Sequence, residues 1–154
     1  MKTTMKTLLC SLLIAGSVSA QSVADKAKTT TVKEYELNNE KTITIKTTST
    51  ERRNLILDPK DAGELNQSLI NSPIYVEKSI MIDYDNDDRF DREVQLTYQK
   101  RMEGDLNYVA TPKGIYISSS DSTPLFITKP GAYELSSKNI DNIKILVKDI
   151  NTTK

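Results

Sequence analysis

The chain of 154 residues has no histidine, no tryptophan and a single cysteine. Each absence closes off some chemistry. Without His, and with Cys10 as the sole thiol, neither a Ser-His-Asp nor a Cys-His nucleophile can be assembled. Zinc, copper and haem sites built on imidazole or thiolate clusters lack their ligands for the same reason. Acid–base work would fall to carboxylates, Lys or Tyr with displaced pKa values. The lack of Trp removes the largest sugar-stacking ring, although seven Tyr remain. An excess of one charge is missing too: 21 basic residues meet 21 acidic ones. That balance gives no electrostatic reason to expect nucleic acid or an anionic membrane as partner.

Long hydrophobic runs are also scarce, and the one that stands out is short and N-terminal. Lys2 and Lys6 precede the apolar stretch Leu8–Ala15, and small residues follow, ending Val18-Ser19-Ala20. This is the three-part pattern of a cleavable export signal, with Val at −3 and Ala at −1. The expectation is a signal peptide over 1–20 and a mature chain from Gln21. The run falls short of the roughly 20 apolar residues that span a bilayer, so no transmembrane segment is expected after cleavage. Cys10 sits inside the run, away from the cleavage point, which argues against lipid attachment. It would leave with the signal, so the mature fold must rest on its apolar core without a disulfide. The expected destination is the periplasm or the exterior.

Beyond the leader, residues 21–31 (QSVADKAKTTT) are polar and aperiodic and read as a flexible lead-in. From residue 32 to 154 the chain reads as one β-rich domain, dominated by period-2 alternation. A first hairpin joins Val32–Leu37 to Thr42–Thr48. An odd-numbered loop around Asn38-Asn39-Glu40 places Tyr35 and Leu37 on the same face as Ile43 and Ile45. Further strands are expected around Ile74–Tyr84, Val94–Tyr98, Asn107–Ala110, Ile115–Ser118, Leu125–Thr128, Ala132–Ser136 and Ile143–Ile150. Pairing Ile82 with Val94 and Ile80 with Leu96 keeps their apolar faces together, and Lys78 interrupts that face. Between Asp58-Pro59 and Asn71-Ser72-Pro73 the pattern predicts one amphipathic helix near residues 59–71, with Asp58 as N-cap and Ala62, Leu65, Leu69 and Ile70 on one stripe. Leu65 and Leu69 would then pack on the face bearing Ile80, Ile82, Val94 and Leu96. The sum is an α+β, β-rich fold: a mostly antiparallel sheet of about seven or eight strands with one helix laid on it, for which a curled or barrel-like sheet fits as well as a flat layer.

One local pattern carries chemistry. In Asp83-Tyr84-Asp85-Asn86-Asp87-Asp88-Arg89-Phe90-Asp91, the residues Asp83, Asp85, Asp87 and Asp91 occupy positions 1, 3, 5 and 9 of a calcium loop. Hard oxygen ligands at that spacing can converge on one ion. The stretch resembles the acidic part of EF-hand and dockerin-type loops over about a dozen residues. It departs from them in having Asp88 for the turn glycine and Val94 for the last glutamate, and its flanks read as strands. The competing reading is a solvated hairpin loop whose acidity is offset by Arg89 and Arg92.

The leading expectation is therefore an exported, non-catalytic domain, with no cofactor, that binds a protein, a glycan or an envelope component. A calcium-stabilised structural module using the Asp83–Asp91 loop is the first alternative, and a small carboxylate-based hydrolase the second. Tyr75, Tyr98, Tyr108, Tyr116 and Tyr133 all fall in expected strands, either as a binding face or as packing.

Overall fold

Alternating β-branched and polar residues make a half-buried strand cheaper than a helix over most of this chain. The computed structural model bears this out; it describes residues 10–11, 23–37, 41–70, 72–87, 89–101 and 104–150. In chain order the strands are β1 (Cys10–Ser11), β2 (Val23–Leu37), β3 (Lys41–Leu57), β4 (Leu69–Ile70), β5 (Ile74–Asp83), β6 (Arg92–Lys100), β7 (Asn107–Thr111), β8 (Gly114–Ser118), β9 (Leu125–Ile127), β10 (Gly131–Glu134) and β11 (Ile140–Asp149). They form two antiparallel sheets. The large one runs β1-β2-β3-β5-β6-β11-β10, with β4 paired to the far end of β3, and the small one runs β7-β8-β9. Neither closes into a barrel.

The first hairpin has the register that its apolar pattern requires: Tyr35 faces Ile43 and Leu37 faces Lys41, across the three positions 38–40. The strands are far longer than expected. Segment 23–31, expected to be a flexible lead-in, pairs without interruption from Val23↔Leu55 to Thr31↔Thr47. Its run of Thr residues suits a strand even though it lacks an apolar face. The segment expected to be a leader, residues 1–20, lies outside the described residues apart from Cys10 and Ser11, which pair with Thr30 and Thr29 on the outer edge of β2.

The amphipathic helix is not there. Asp58 does cap a turn, its Oδ1 accepting from Lys60 N at 3.0 Å, but only one 3-10 turn, Pro59–Asp61, forms. Gly63 then takes a left-handed φ of 98°. The Asp58 N–H reaches the Ser68 carbonyl at 2.7 Å, and Ser68 N donates to Asp61 Oδ2 at 2.9 Å. These bonds close residues 58–68 into a loop, and Leu69 and Ile70 return as β4 opposite Leu57 and Ile56. Leu65 is fully exposed and Leu69 half so; neither packs on the sheet. Gly63, Asn66 and Ser68 are weak helix formers, and no apolar surface rewards the stripe.

The β5–β6 register also differs from expectation by two residues. Ile80 faces Val94 and Ile82 faces Arg92; beyond that last pair Asp83 and Asp91 turn their carboxylates to the backbone of the connecting loop. In β11 the pairing slips between Asp141 and Lys144, and Asn142 takes a φ of 54°. This bulge changes the parity of the strand, so Ile140 points inward together with Ile143, Ile145 and Val147.

One buried cluster joins the two sheets. Ile43, Ile45, Val76, Ile80, Ile82, Val94, Leu96, Tyr98, Ile145 and Val147 come from the large sheet, and Ile115, Ile117 and Ile127 from the small one. Gly114 is needed at the β8 start because the Ile127 carbonyl of β9 lies where a Cβ would be. Among the described residues no helix is long and apolar enough to cross a membrane.

Candidate functional site

Two surfaces have the chemistry to engage a ligand: the loop after β5, and the face of the large sheet that points away from the core.

The loop is held by its own carboxylates. Asp83 is buried at the end of β5, and its Oδ1 accepts from Asp85 N at 3.1 Å and Asn86 N at 2.7 Å. Asn86 supplies the positive φ, 61°, that turns the chain. Asp91 Oδ2 accepts from Tyr84 N at 2.8 Å, while Asp91 N donates to the Ile82 carbonyl at 2.8 Å and its own carbonyl accepts from Ile150 N at 2.7 Å. The result brings one carboxylate oxygen each from Asp83, Asp85 and Asp91 within 4.8 Å of one another. Asp87, the fourth residue of the expected set, is not in this group; its Oδ1 accepts from Arg89 N at 2.9 Å. Crowding is visible in Asp85, whose carboxyl is held above its ordinary 3.8 by partial loss of solvent and then by the charges of Asp87, Asp91 and Asp83. Arg92 does not relieve it. Its Nε donates to Asp149 at 2.7 Å, its Nη1 reaches the Thr128 carbonyl at 3.3 Å, and its guanidinium lies over the Tyr84 ring.

The outer face of the large sheet is polar and ordered in cross-strand rows. One row reads Lys26, Arg52, Tyr75, Gln99. The next reads Lys28, Thr50, Glu77, Thr97, Lys144, Glu134, and the one beyond it Thr30, Thr48, Ser79, Gln95, Leu146, Ala132. Among the described residues no further layer hydrogen-bonds to this face. Three shallow depressions lie along it and share their walls. The first, of about 500 Å³, is lined by Arg52, Asn54, Tyr75, Glu77, Gln99 and Lys144 among others. The second takes in Gln95, Thr97 and Tyr133, the third Thr48, Thr50 and Ser79. Together they form a trough. Arg52 is ion-paired to Glu77, and Ser79 Oγ donates to Glu93 at 2.9 Å. The side chains of Asn54, Thr50, Gln95, Thr97 and Gln99 make no hydrogen bond among the described residues. Their donors and acceptors stay available to whatever occupies the trough.

The five expected tyrosines do not share a face. Tyr75 stands in the trough, and Tyr116 stacks on Phe126 on the outside of the small sheet with centroids 4.2 Å apart. Tyr108 hydrogen-bonds Thr47 between the sheets, Tyr133 donates to the Lys129 carbonyl at 2.8 Å, and Tyr98 is buried. Sequence reasoning missed the company Tyr98 keeps. Its hydroxyl donates to Asp105, which also takes Lys78 Nζ at 2.8 Å on both oxygens. Lys100 pairs with Glu51 nearby at 2.8 Å. Burial pushes the Asp105 carboxyl up, but the bonds from Lys78 and Tyr98 and the Lys78 and Lys100 charges outweigh it and hold the group below 3.8. Burial, then the bond to Asp105, drives the Tyr98 hydroxyl the other way. The signal for this network was Lys78 interrupting an apolar face; its partner, in an irregular segment, had no pattern to reveal it.

Comparison with protein-family models, with curated proteins and with solved structures finds no match for this chain.

Proposed function

We propose that the protein is an exported, non-catalytic binding domain whose site is the trough on the outer face of the large sheet, and that its ligand is polar and hydroxyl-rich, such as an envelope glycan. The observation that carries this reading is the set of uncommitted amides and hydroxyls around Tyr75. Asn54, Gln95 and Gln99 each present a donor and an acceptor side by side, the match for neighbouring sugar hydroxyls. The exposed ring of Tyr75 gives an apolar surface against which a sugar face can pack. Export supports a ligand outside the cytoplasm, through the leader pattern of residues 1–20. Screening the protein against immobilised bacterial polysaccharides and titrating a responding one is the test. Tyr75→Ala and Gln99→Ala should each weaken binding by about tenfold or more with an unchanged melting temperature. Binding that survives both substitutions places the site elsewhere.

The convergence of Asp83, Asp85 and Asp91 favours a second reading, a structural module stabilised by calcium. Three carboxylates on one side of a loop suit a hard cation of flexible coordination, with weak affinity because the set is incomplete. Calcium at millimolar concentration should raise the melting temperature by several degrees, magnesium should not, and Asp85→Ala should abolish the rise. A melting temperature indifferent to calcium at fixed ionic strength leaves the loop as a solvated hairpin.

A further inference from the structure

The large sheet ends in two very different edges. On one side stands β10, four residues long. On the other stands β2, fifteen residues long, without a proline, and paired to β3 without a bulge from Val23 to Leu37. A long edge of this kind, covered over only two residues by β1, is a template for another strand unless the protein blunts it. The chain itself shows that the edge accepts one, since Cys10 and Ser11 pair antiparallel with Thr30 and Thr29. Those two residues fall within the expected leader and would leave with it.

The charges on β2 define what fits in their place. On the outer face Lys26 and Lys28 precede Thr31, and Glu34 and Glu36 follow it. All four side chains are exposed, and none has an ion-pair partner among the described residues. Lys26 lies opposite Arg52 of β3, whose charge Glu77 takes up, so no acid of the described residues is left for Lys26. Positive then negative along one strand is self-complementary only when the second strand runs antiparallel. In a parallel pairing like meets like.

We propose that the edge of β2 is a homodimer interface, in which β2 of a second copy pairs antiparallel with a twofold axis through Thr31, joining the two large sheets into one. With Thr31 on the axis, Lys28 faces the partner's Glu34 and Lys26 faces the partner's Glu36, and symmetry repeats both pairs. Moving the axis to Thr30 leaves Lys28 opposite Val32 and Glu36 opposite Ala24. Moving it to Val32 sets Glu34 opposite Thr30 and carries Lys26 past the end of the strand. Only the Thr31 register pairs all four charges. A twofold axis perpendicular to the sheet keeps its faces continuous, so the two outer faces lie side by side on one surface. This interface rests on removal of the expected leader, which frees Thr29 and Thr30, and stands whether or not the trough binds a glycan.

The test uses residues 21–154, which keep both sheets except β1 and, among the described residues, every buried apolar side chain, from Ile43 to Val147. Sedimentation velocity should show a reversible dimer that loosens with added salt. The acidic variant Lys26→Glu/Lys28→Glu and the basic variant Glu34→Lys/Glu36→Lys should each raise the dissociation constant by at least about tenfold. Circular dichroism, and melting at concentrations low enough that the parent is monomeric, should match the parent chain, because the four side chains are exposed. Mixing the two variants should restore association as a heterodimer, since one strand is then wholly acidic and the other wholly basic. A chain that stays monomeric into the high micromolar range overturns the proposal. So does a dimer that both variants form as well as the parent, or a mixture that gives no heterodimer, for then the contact is elsewhere.

Discussion

The inward face of the large sheet has two halves that solve the same problem differently. Toward the β5–β6 loop, Ile45 faces Ile82, and Ile80 faces Val94, which in turn faces Val147; these apolar side chains share a cluster with Ile115, Ile117 and Ile127 of the small sheet. Toward the other end, the same inward positions hold Glu51, Lys78 and Lys100 beside Val76 and the buried ring of Tyr98. There Asp105, in the irregular stretch before β7, receives Lys78 and Tyr98 together. One half is held by excluded water, the other by paired charge. The first kind of contact is indifferent to partner identity so long as volume is filled. The second depends on each partner being present.

The largest expected effect is on the apolar half. Ile80 and Ile117 are both fully buried, on opposite sheets of the same cluster. Truncating either to Ala should cost about 2–5 kcal/mol in urea unfolding, from lost transfer energy and the cavity left behind. A cost under about 1 kcal/mol at either position would mean that the sheets do not share one core.

The charged half should respond less to deletion and more to imbalance. The Lys78 side chain is 9% exposed, whereas Asp105 is 46% exposed, so solvent tempers the loss. Asp105→Ala should cost about 1–3 kcal/mol, since it strands an ammonium and a phenol hydroxyl together. Lys78→Met, which removes the charge and keeps the volume, should fall within about 1.5 kcal/mol of the parent. If the two cost the same, pairing contributes nothing and the halves are alike. Acid sharpens the contrast. The Asp105 carboxyl lies below its ordinary 3.8 in the folded protein, so its contribution is present above that value and fades as pH falls through the folded one. Asp121 behaves likewise. Bonds from Ser119, the Lys138 amide and Ser137 hold it at about 2, so its share is lost between pH 3.8 and about 2. Stability should therefore drop in that window, and less so in Asp105→Asn.

What was legible in the sequence follows the same divide. Ile43, Ile45, Ile80, Ile82, Val94 and Leu96 alternate cleanly, and their inward side is where the pattern puts it. The hairpin register at Tyr35↔Ile43 was legible too, because any even loop would have split the apolar faces. The Thr-rich start of β2 was not, since a strand with no apolar side carries no periodic signal and is fixed only by pairing with β3. Asp83, Asp85 and Asp91 could be chosen by spacing, but the departure of Asp87 to Arg89 N is a matter of local backbone geometry. Asp105 and the open face around Tyr75 and Gln99 were invisible for a different reason. Both depend on which strands become neighbours, and nothing local encodes that β6 lies between β5 and β11.

The smallest expected effect is the most instructive about that divide. Ala62, Leu65, Leu69 and Ile70 have helical spacing, and a stripe of that kind usually means burial. Here the stripe meets no sheet. Leu65 stands wholly in solvent, in a loop closed by Asp58 and Ser68, and Gly63 sits at a φ that a helix cannot contain. Its side chain can therefore contribute little to either half of the core. Leu65→Ala should change unfolding free energy by less than about 0.5 kcal/mol, as at any unengaged surface position. Gly63→Ala should cost more despite the open space around it, because the strain of a positive φ falls on the backbone. If Leu65→Ala cost as much as Ile80→Ala, the helix would exist after all, packed on the sheet, and the loop described by Asp58 and Ser68 would be wrong. A near-zero result for Leu65 beside a measurable one for Gly63 would show that this segment is shaped by its turn chemistry and not by its apolar spacing.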